Sequence, residues 1–324
     1  MGLEKAVELI KKSQHVAIMG HIRGDSDCYG SAFGLKQGLE TLGKNVQILS
    51  DEPYPDNLNF LFYYFQGEID TVPNDKTNLL IVLDSSDVSR LCIPEIAKQI
   101  KKSGARVLQI DHHTPGDIAD FADVELQNAE ACSTCELVFD ILKELDVRID
   151  KNTATCLLTG IIGDTSSFQN QNTTQSCMAV ASELMKRGAR QKTIINHLFG
   201  GKDVDILKVW GLAMERLNKN ENTGVVTTFL TYDDINEYGI SGDAISGIVN
   251  FLNQVKGAKM VVLITEEEKG IIKISFRTRD EHMDVAKLAK QLGGGGHQKA
   301  AGLSFPGTIE VNNLIPRIVY KQLT

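Results

Sequence analysis

Residues 106–113, Arg106-Val107-Leu108-Gln109-Ile110-Asp111-His112-His113, decide the fold: a short apolar run stops abruptly on an acid and two histidines. A brief apolar run without alternation suits a strand buried on both faces, the usual situation in a parallel sheet. Working outward, the same pattern recurs at His15-Val16-Ala17-Ile18-Met19, Val46-Gln47-Ile48-Leu49 and Leu79-Leu80-Ile81-Val82-Leu83. A helix is expected from about Gly30 to Leu42, and others at about 132–145, 150–162, 174–187 and 203–218. Strands alternating with helices predict an α/β fold: a mostly parallel sheet flanked by helices.

The strand ends carry the chemistry. The first runs into Gly20-His21-Ile22-Arg23-Gly24-Asp25-Ser26-Asp27, the third into Asp84, and the fourth into Asp111-His112-His113. Ligands of open parallel sheets sit beyond the carboxyl ends of the strands, so these groups share one edge. Gly163-Asp164-Thr165 closes an apolar helical run and supplies one more acid. Asp25, Asp27, Asp84, Asp111 and Asp164 beside His21, His112 and His113 would repel one another unless protonated or neutralised by cations. Oxygen and imidazole donors without thiolate suit Mn²⁺, Fe²⁺, Co²⁺ or Mg²⁺ better than a structural zinc. Enough ligands are present for two ions, which at about 3.5–4 Å apart clamp a phosphoryl group and activate a bridging water. Each piece alone has a plainer reading. Asp87 and Ser31 are expected only to cap helices, and His15, His197 and His282 to be structural or solvent-facing.

Composition narrows the class. The 324 residues exceed one ordinary core, which predicts two domains. No apolar run reaches the roughly 18–20 residues of a membrane span, and the N-terminal stretch lacks a signal-peptide layout, so a cytoplasmic protein is expected. Residues 221–324 carry 11 Lys and Arg against 12 Asp and Glu, so nearly all of the net charge of −8 lies in 1–220. That surface argues against broad nucleic-acid binding but not against a small anionic substrate held through cations. Six cysteines make no disulfide framework, and the lone Cys132-x-x-Cys135 is read as buried helix packing rather than a zinc or redox site.

A smaller α+β unit begins near residue 221. It is expected to hold strands at Val225 to Leu230, Met260 to Thr265 and Ile271 to Phe276, and helices at about Asp243 to Gln254 and Val285 to Leu292. The last helix runs into Gly293-Gly294-Gly295-Gly296-His297. Glycines let backbone N–H groups approach an anion closely. The expected organisation is therefore 1–187, a catalytic metal-binding domain; 188–220, a helical connector; and 221–324, a substrate-binding domain.

The ordered set His21-x-x-x-Asp25-x-Asp27-x-x-Gly30-Ser31, Asp84, Asp111-His112-His113 and Gly163-Asp164-Thr165 resembles the DHH phosphoesterase superfamily. The tail Gly293 to His297, then Ala300-Ala301-Gly302, resembles its DHHA1 domain, and Cys132-Ser133-Thr134-Cys135-Glu136-Leu137-Val138 is similar to another family stretch. The resemblance implies hydrolysis of short oligoribonucleotides to mononucleotides and of 3′-phosphoadenosine 5′-phosphate to AMP and phosphate, with two divalent ions, Mn²⁺ first and Co²⁺ or Mg²⁺ as alternatives. It implies one ion on His21, Asp25 and Asp84, and a second on Asp27, Asp84, His112 and Asp164. His113 would face the scissile phosphate as an acid, and Asp111 would orient a ligand imidazole. Arg277, Gly294, Gly295, Gly296 and His297 would bind substrate, either short single-stranded RNA or a small nucleotide, and face the ions across a cleft. Homodimerisation is implied by the resemblance alone. Two departures stand out: Gly24 and Ser26 replace prolines common in the family's first motif, and Cys28 replaces an alanine.

Other readings stay open on the same fold. They are a linear or cyclic dinucleotide phosphodiesterase, a 5′ single-strand DNA exonuclease, a manganese pyrophosphatase (against which the glycine-rich tail speaks), and a non-catalytic nucleotide sensor.

Overall fold

The computed structural model describes residues 2–65, 69–200, 203–240, 242–312 and 315–320. Two compact units divide it, Met1–Gly201 and Lys202–Thr324. The first contains α1 (Gly2–Lys12), β1 (His15–Met19), α2 (Ser26–Thr41), β2 (Asn45–Leu49), α3 (Asn59–Phe65), β3 (Ile69–Asp70), β4 (Leu79–Leu83), α4 (Pro94–Lys102) and β5 (Arg106–Asp111). It continues with α5 (Ile118–Phe121), β6 (Val124–Gln127), α6 (Thr134–Glu144), α7 (Lys151–Asp164), α8 (Gln175–Lys186) and α9 (Gln191–Leu198).

Among the described residues its sheet is six-stranded in the order β3-β2-β1-β4-β5-β6, and every pairing is parallel. The apolar runs lack alternation because both faces are covered. Val16 and Ile18 of β1 pack into one core with residues of α2, α6 and α7, whereas Ala17 and Met19 pack into another with Ala97 and Ile100 of α4. Each fully buried Val, Ile or Met side chain among them contributes about 1.5–3 kcal/mol. The chain moves from β1 to β2 in one direction and from β4 to β5 in the other, so β1 and β4 flank the point where strand order reverses. In sheets of this kind that crevice is where ligands bind.

α2 starts at Ser26, four residues before the expected Gly30. The reason is local: the Asp25 carboxylate accepts from Asp27 N at 2.9 Å and Cys28 N at 3.2 Å and so caps the helix. Ser31 is therefore not a cap but lies inside α2, its hydroxyl donating to Cys28 O. Asp87 stands before a 3₁₀ turn, and its side chain makes no capping bond.

The second unit contains α10 (Val204–Glu215), β7 (Asn218–Asn220), β8 (Val225–Leu230), α11 (Tyr232–Asn236), α12 (Gly242–Leu252), β9 (Met260–Glu268) and β10 (Ile271–Arg277). It ends with α13 (Val285–Gln291), β11 (Gly295–His297), β12 (Ala300–Asn312) and β13 (Ile315–Tyr320). The strand order is β11-β12-β10-β9-β8-β7, with β13 also on β12; β8 and β9 run parallel and the other pairs antiparallel. Within 188–220, α9 belongs to the first unit and α10 to the second. The helix expected to reach residue 218 stops at Glu215, because Asn218–Asn220 pairs with β8 instead. No helix among the described residues is long and apolar enough to cross a membrane.

Candidate metal centre

The loop after β1 is tied down by backbone bonds, Ile22 N to Arg90 O and Cys92 N to Gly20 O. Asp84, directly after β4, has φ of +57°, a left-handed conformation that costs a non-glycine residue about 1–2 kcal/mol. Such strain persists where the surroundings over-determine it, and it aims this carboxylate away from the strand's regular alternation. Asp27 and Asp164 come from α2 and α7, which meet through glycines. A Cβ on Gly30 would stand 2.6 Å from Cys156 O, and one on Gly160 would stand 2.4 Å from Asp27 Oδ1.

These elements gather the expected ligands into three overlapping groups: His21, Asp25 and Asp84; Asp27, His112 and Asp164; and Asp84, His112 and His113. Within each group the candidate donor atoms lie within 4.8 Å of one another. Asp84 divides its two oxygens. Oδ2 is 3.4 Å from His21 Nε2, while Oδ1 is 3.6 Å from His112 Nε2 and 3.5 Å from His113 Nδ1. His112 Nε2 also lies 3.1 Å from Asp164 Oδ2 and 3.7 Å from Asp27 Oδ2. The other imidazole nitrogens are anchored to carbonyls, His21 Nδ1 to Ile22 O at 2.8 Å and His112 Nδ1 to Ala131 O at 3.4 Å. Anchoring Nδ1 turns each Nε2 lone pair into the site, as in histidines that bind metals.

The electrostatics are those of a cation site. Burial, then repulsion from Asp84, pushes the Asp27 carboxyl up to about 7. Burial and then the Asp27 charge hold Asp164 above its ordinary value. Burial acts to raise Asp84 as well, but His21, then His112 and His113, outweigh it and hold it at about 2. The histidines respond in kind: burial disfavours their charge, yet Asp84 lifts His21 to about 9, and Asp164 with Asp27 lifts His112 to about 10. Carboxylates this crowded require positive charge, and protons on imidazole are the substitute available when no cation provides it. His112 Nε2 is buried and makes no hydrogen bond, despite three carboxylates within 3.7 Å. A buried nitrogen without a hydrogen bond among hard oxygen donors fits a divalent ion of the Mn²⁺, Co²⁺ or Mg²⁺ kind.

Asp111 holds His113, a member of the group with Asp84 and His112: its Oδ1 accepts from His113 Nδ1 at 2.8 Å and from His113 N at 3.1 Å. Gln109, buried inside β5, steadies Oδ2 at 3.4 Å and also donates to Ser85 O. A polar residue within an apolar strand, two positions before Asp111, was the available signal for Gln109, since period two puts both on one face. Cys132 and Cys135 are buried and lie outside the three groups, and all six cysteines are unpaired.

In the second unit, Arg277 donates from Nε to Asn250 Oδ1 at 2.9 Å and from Nη1 to Phe276 O at 3.0 Å. Among the described residues no ion pair compensates it, and burial pulls its pKa below the ordinary value. The glycine run is partly committed to structure rather than open to an anion. Gly294 N donates to Ala289 O, and a Cβ there would stand 2.2 Å from Gly302 O. Gly296, at φ of +135°, pairs with Ala301 in the β11–β12 hairpin, whereas a Cβ on Gly293 or Gly295 would meet nothing within 4 Å. The His297 side chain lies outside the described residues.

A family model described as "DHH family, N-terminal domain" matches residues 15–161, and one described as "DHHA1 domain" matches 208–320. The chain is 27% identical over 300 residues to a Bacillus subtilis protein named bifunctional oligoribonuclease and PAP phosphatase NrnA, covering 91% of this chain and 90% of that one. A Thermus thermophilus protein of the same name is 28% identical over 297 residues, covering 90% of this chain and 84% of that one. Among solved structures, an exopolyphosphatase-related protein from Bacteroides fragilis superposes with a TM-score of 0.81 at 22% identity, covering 93% of this chain and 90% of that one.

Proposed function

The chain belongs to the DHH phosphoesterase family, and from that premise we propose that it hydrolyses short oligoribonucleotides to mononucleotides and 3′-phosphoadenosine 5′-phosphate to AMP and phosphate. The observation that carries the reading is Asp84, whose two oxygens address two different ligand groups. His21, Asp25 and Asp84 would hold one divalent ion, and Asp27, Asp84, His112 and Asp164 a second, with Mn²⁺ the first choice and Co²⁺ or Mg²⁺ alternatives. Bound there, such ions supply positive charge to phosphoryl oxygens and lower the pKa of water.

The chain's own groups do the rest. Asp111 accepts the Nδ1 proton of His113, which fixes the tautomer and the ring's orientation. Nε2 is then the nitrogen turned away from Asp111, and we assign it the proton delivered to the leaving oxygen; proton transfer of this kind is worth about 10²–10⁴ in rate. Arg277, with Asn250 and Phe276 O occupying its inner donors, keeps its outer edge for an anionic substrate group. Gly295 and His297 are assigned to the same substrate. We place the enzyme in the cytoplasm, a reading supported by six unpaired cysteines.

Purified protein with Mn²⁺ should release mononucleotides from RNA two to five nucleotides long, and a chelator should stop it. Opening of cyclic dinucleotides with no action on those oligomers or on 3′-phosphoadenosine 5′-phosphate would overturn the substrate assignment.

A further inference from the structure

We infer that the Thr134 hydroxyl is a positioning group for Asp84 and serves one half of the metal centre, the half formed by Asp27, His112 and Asp164. This rests on the metal reading above and deepens it.

Thr134 opens α6 and is fully buried. Its hydroxyl donates to Asp84 Oδ1 at 3.1 Å, and its backbone N–H donates to Asp27 Oδ2 at 2.6 Å. Cys135 N adds a bond to Asp27 Oδ1 at 3.0 Å, so the first turn of α6 grips two carboxylates of different elements. Every one of these contacts falls on the His112 side. Asp84 Oδ2, on the His21 side, receives nothing from Thr134.

The hydroxyl matters because the Asp84 backbone sets the direction in which the side chain leaves the strand but not the rotation of its carboxylate. The residue sits at φ of +57°, off the strand's regular geometry. A carboxylate oxygen offers two lone-pair directions, and a donor on one leaves the other at a fixed angle. On Oδ1 the donor is Thr134, and the remaining direction is the one available to a cation shared with His112. On Oδ2 the orientation is set against His21. Removing the hydroxyl frees the carboxylate to turn about the end that His21 holds, so the damage is asymmetric. If Thr134 were only a packing residue, an isosteric valine would serve equally well.

The test is calorimetric titration of Mn²⁺ into wild-type protein and Thr134→Ser, Thr134→Val and Thr134→Ala variants. Wild type and Thr134→Ser should bind in the same two steps. Thr134→Val and Thr134→Ala should weaken one step by roughly 10–100-fold, the usual effect of losing a partner that orients a ligand, and leave the other nearly unchanged. On short RNA, kcat should fall in those two variants while KM holds. Should the valine variant not fold, serine against alanine isolates the hydroxyl, since both lack the methyl group. Unchanged binding in both steps without the hydroxyl would overturn the inference, as would equal weakening of both steps. Wild-type protein that binds no Mn²⁺ would overturn the metal reading itself, and this inference with it.

Discussion

Gly160→Ala isolates the geometry on which the metal centre depends. A Cβ at this position would stand 2.3 Å from Cys135 Sγ, 2.4 Å from Asp27 Oδ1 and 2.9 Å from Asp27 Cα. Ordinary contacts of this kind begin near 3.4 Å, so α7 must retreat by roughly 1 Å from α2 and α6, or Asp27 must leave its place. Overpacking costs about 1–3 kcal/mol, and the better helix propensity of alanine returns about 1 kcal/mol. The net destabilisation is therefore about 0–2 kcal/mol, a fall of a few degrees in melting temperature for a unit of this size. Activity should suffer far more, since a displacement of about 1 Å in a catalytic constellation costs about 100-fold. Gly211→Ala is the matched control. Gly211 is also inside a helix, but its Cβ would meet nothing within 4 Å, so stability should rise by about 1 kcal/mol with activity unchanged. Melting curves and turnover of short RNA on both variants provide the assay. A Gly160→Ala enzyme with wild-type turnover and wild-type Mn²⁺ affinity would refute the argument that α2–α7 contact places Asp27.

Two further outcomes are expected. Arg277→Ala should raise KM for nucleotides about tenfold or more while sparing a small artificial phosphoester; equal loss on both substrates would contradict a binding role. Acid should weaken the second unit through Asp234. Burial raises this carboxyl, but hydrogen bonds from Arg216 at 2.9 Å and from Thr231 at 2.7 Å outweigh it and leave its pKa below the ordinary value. A carboxyl depressed on folding stabilises the protein above its unfolded pKa, and that stability is lost as pH falls through the folded one. Arg216→Ala should cost about 1.5–3 kcal/mol at neutral pH and flatten the loss below about pH 4, read from urea unfolding midpoints across pH. A slope identical to wild type would show that the pair is not responsible.

The first unit was legible because parallel strands covered on both faces announce themselves as unbroken apolar runs, and because ligands cluster just past their ends. The start of α2 was misplaced because Asp25 is at once a helix cap and a site residue, and the spacing showed only the second role. β12 and β13 went unseen for a different reason. Gly302, Pro306 and Gly307 lie inside β12 and read as punctuation, yet that strand pairs with β10 up to Pro306 and with β13 from Gly307 onward. The orienting groups were hidden by distance in the chain. Thr134 meets Asp84 across 50 positions and Asp27 across 107, contacts that no local pattern encodes. The glycine run showed its composition but not its division of labour, in which Gly294 and Gly296 serve tight packing while Gly293 and Gly295 stay open.

We propose that Asp84 joins two ions in one site, and electron paramagnetic resonance of Mn²⁺-loaded protein reads that bridge itself. Two Mn²⁺ per chain with an exchange-coupled spectrum, reduced to uncoupled signals in Asp84→Asn, is the result predicted. A single ion per chain, or two magnetically isolated ions in the wild-type protein, would contradict it.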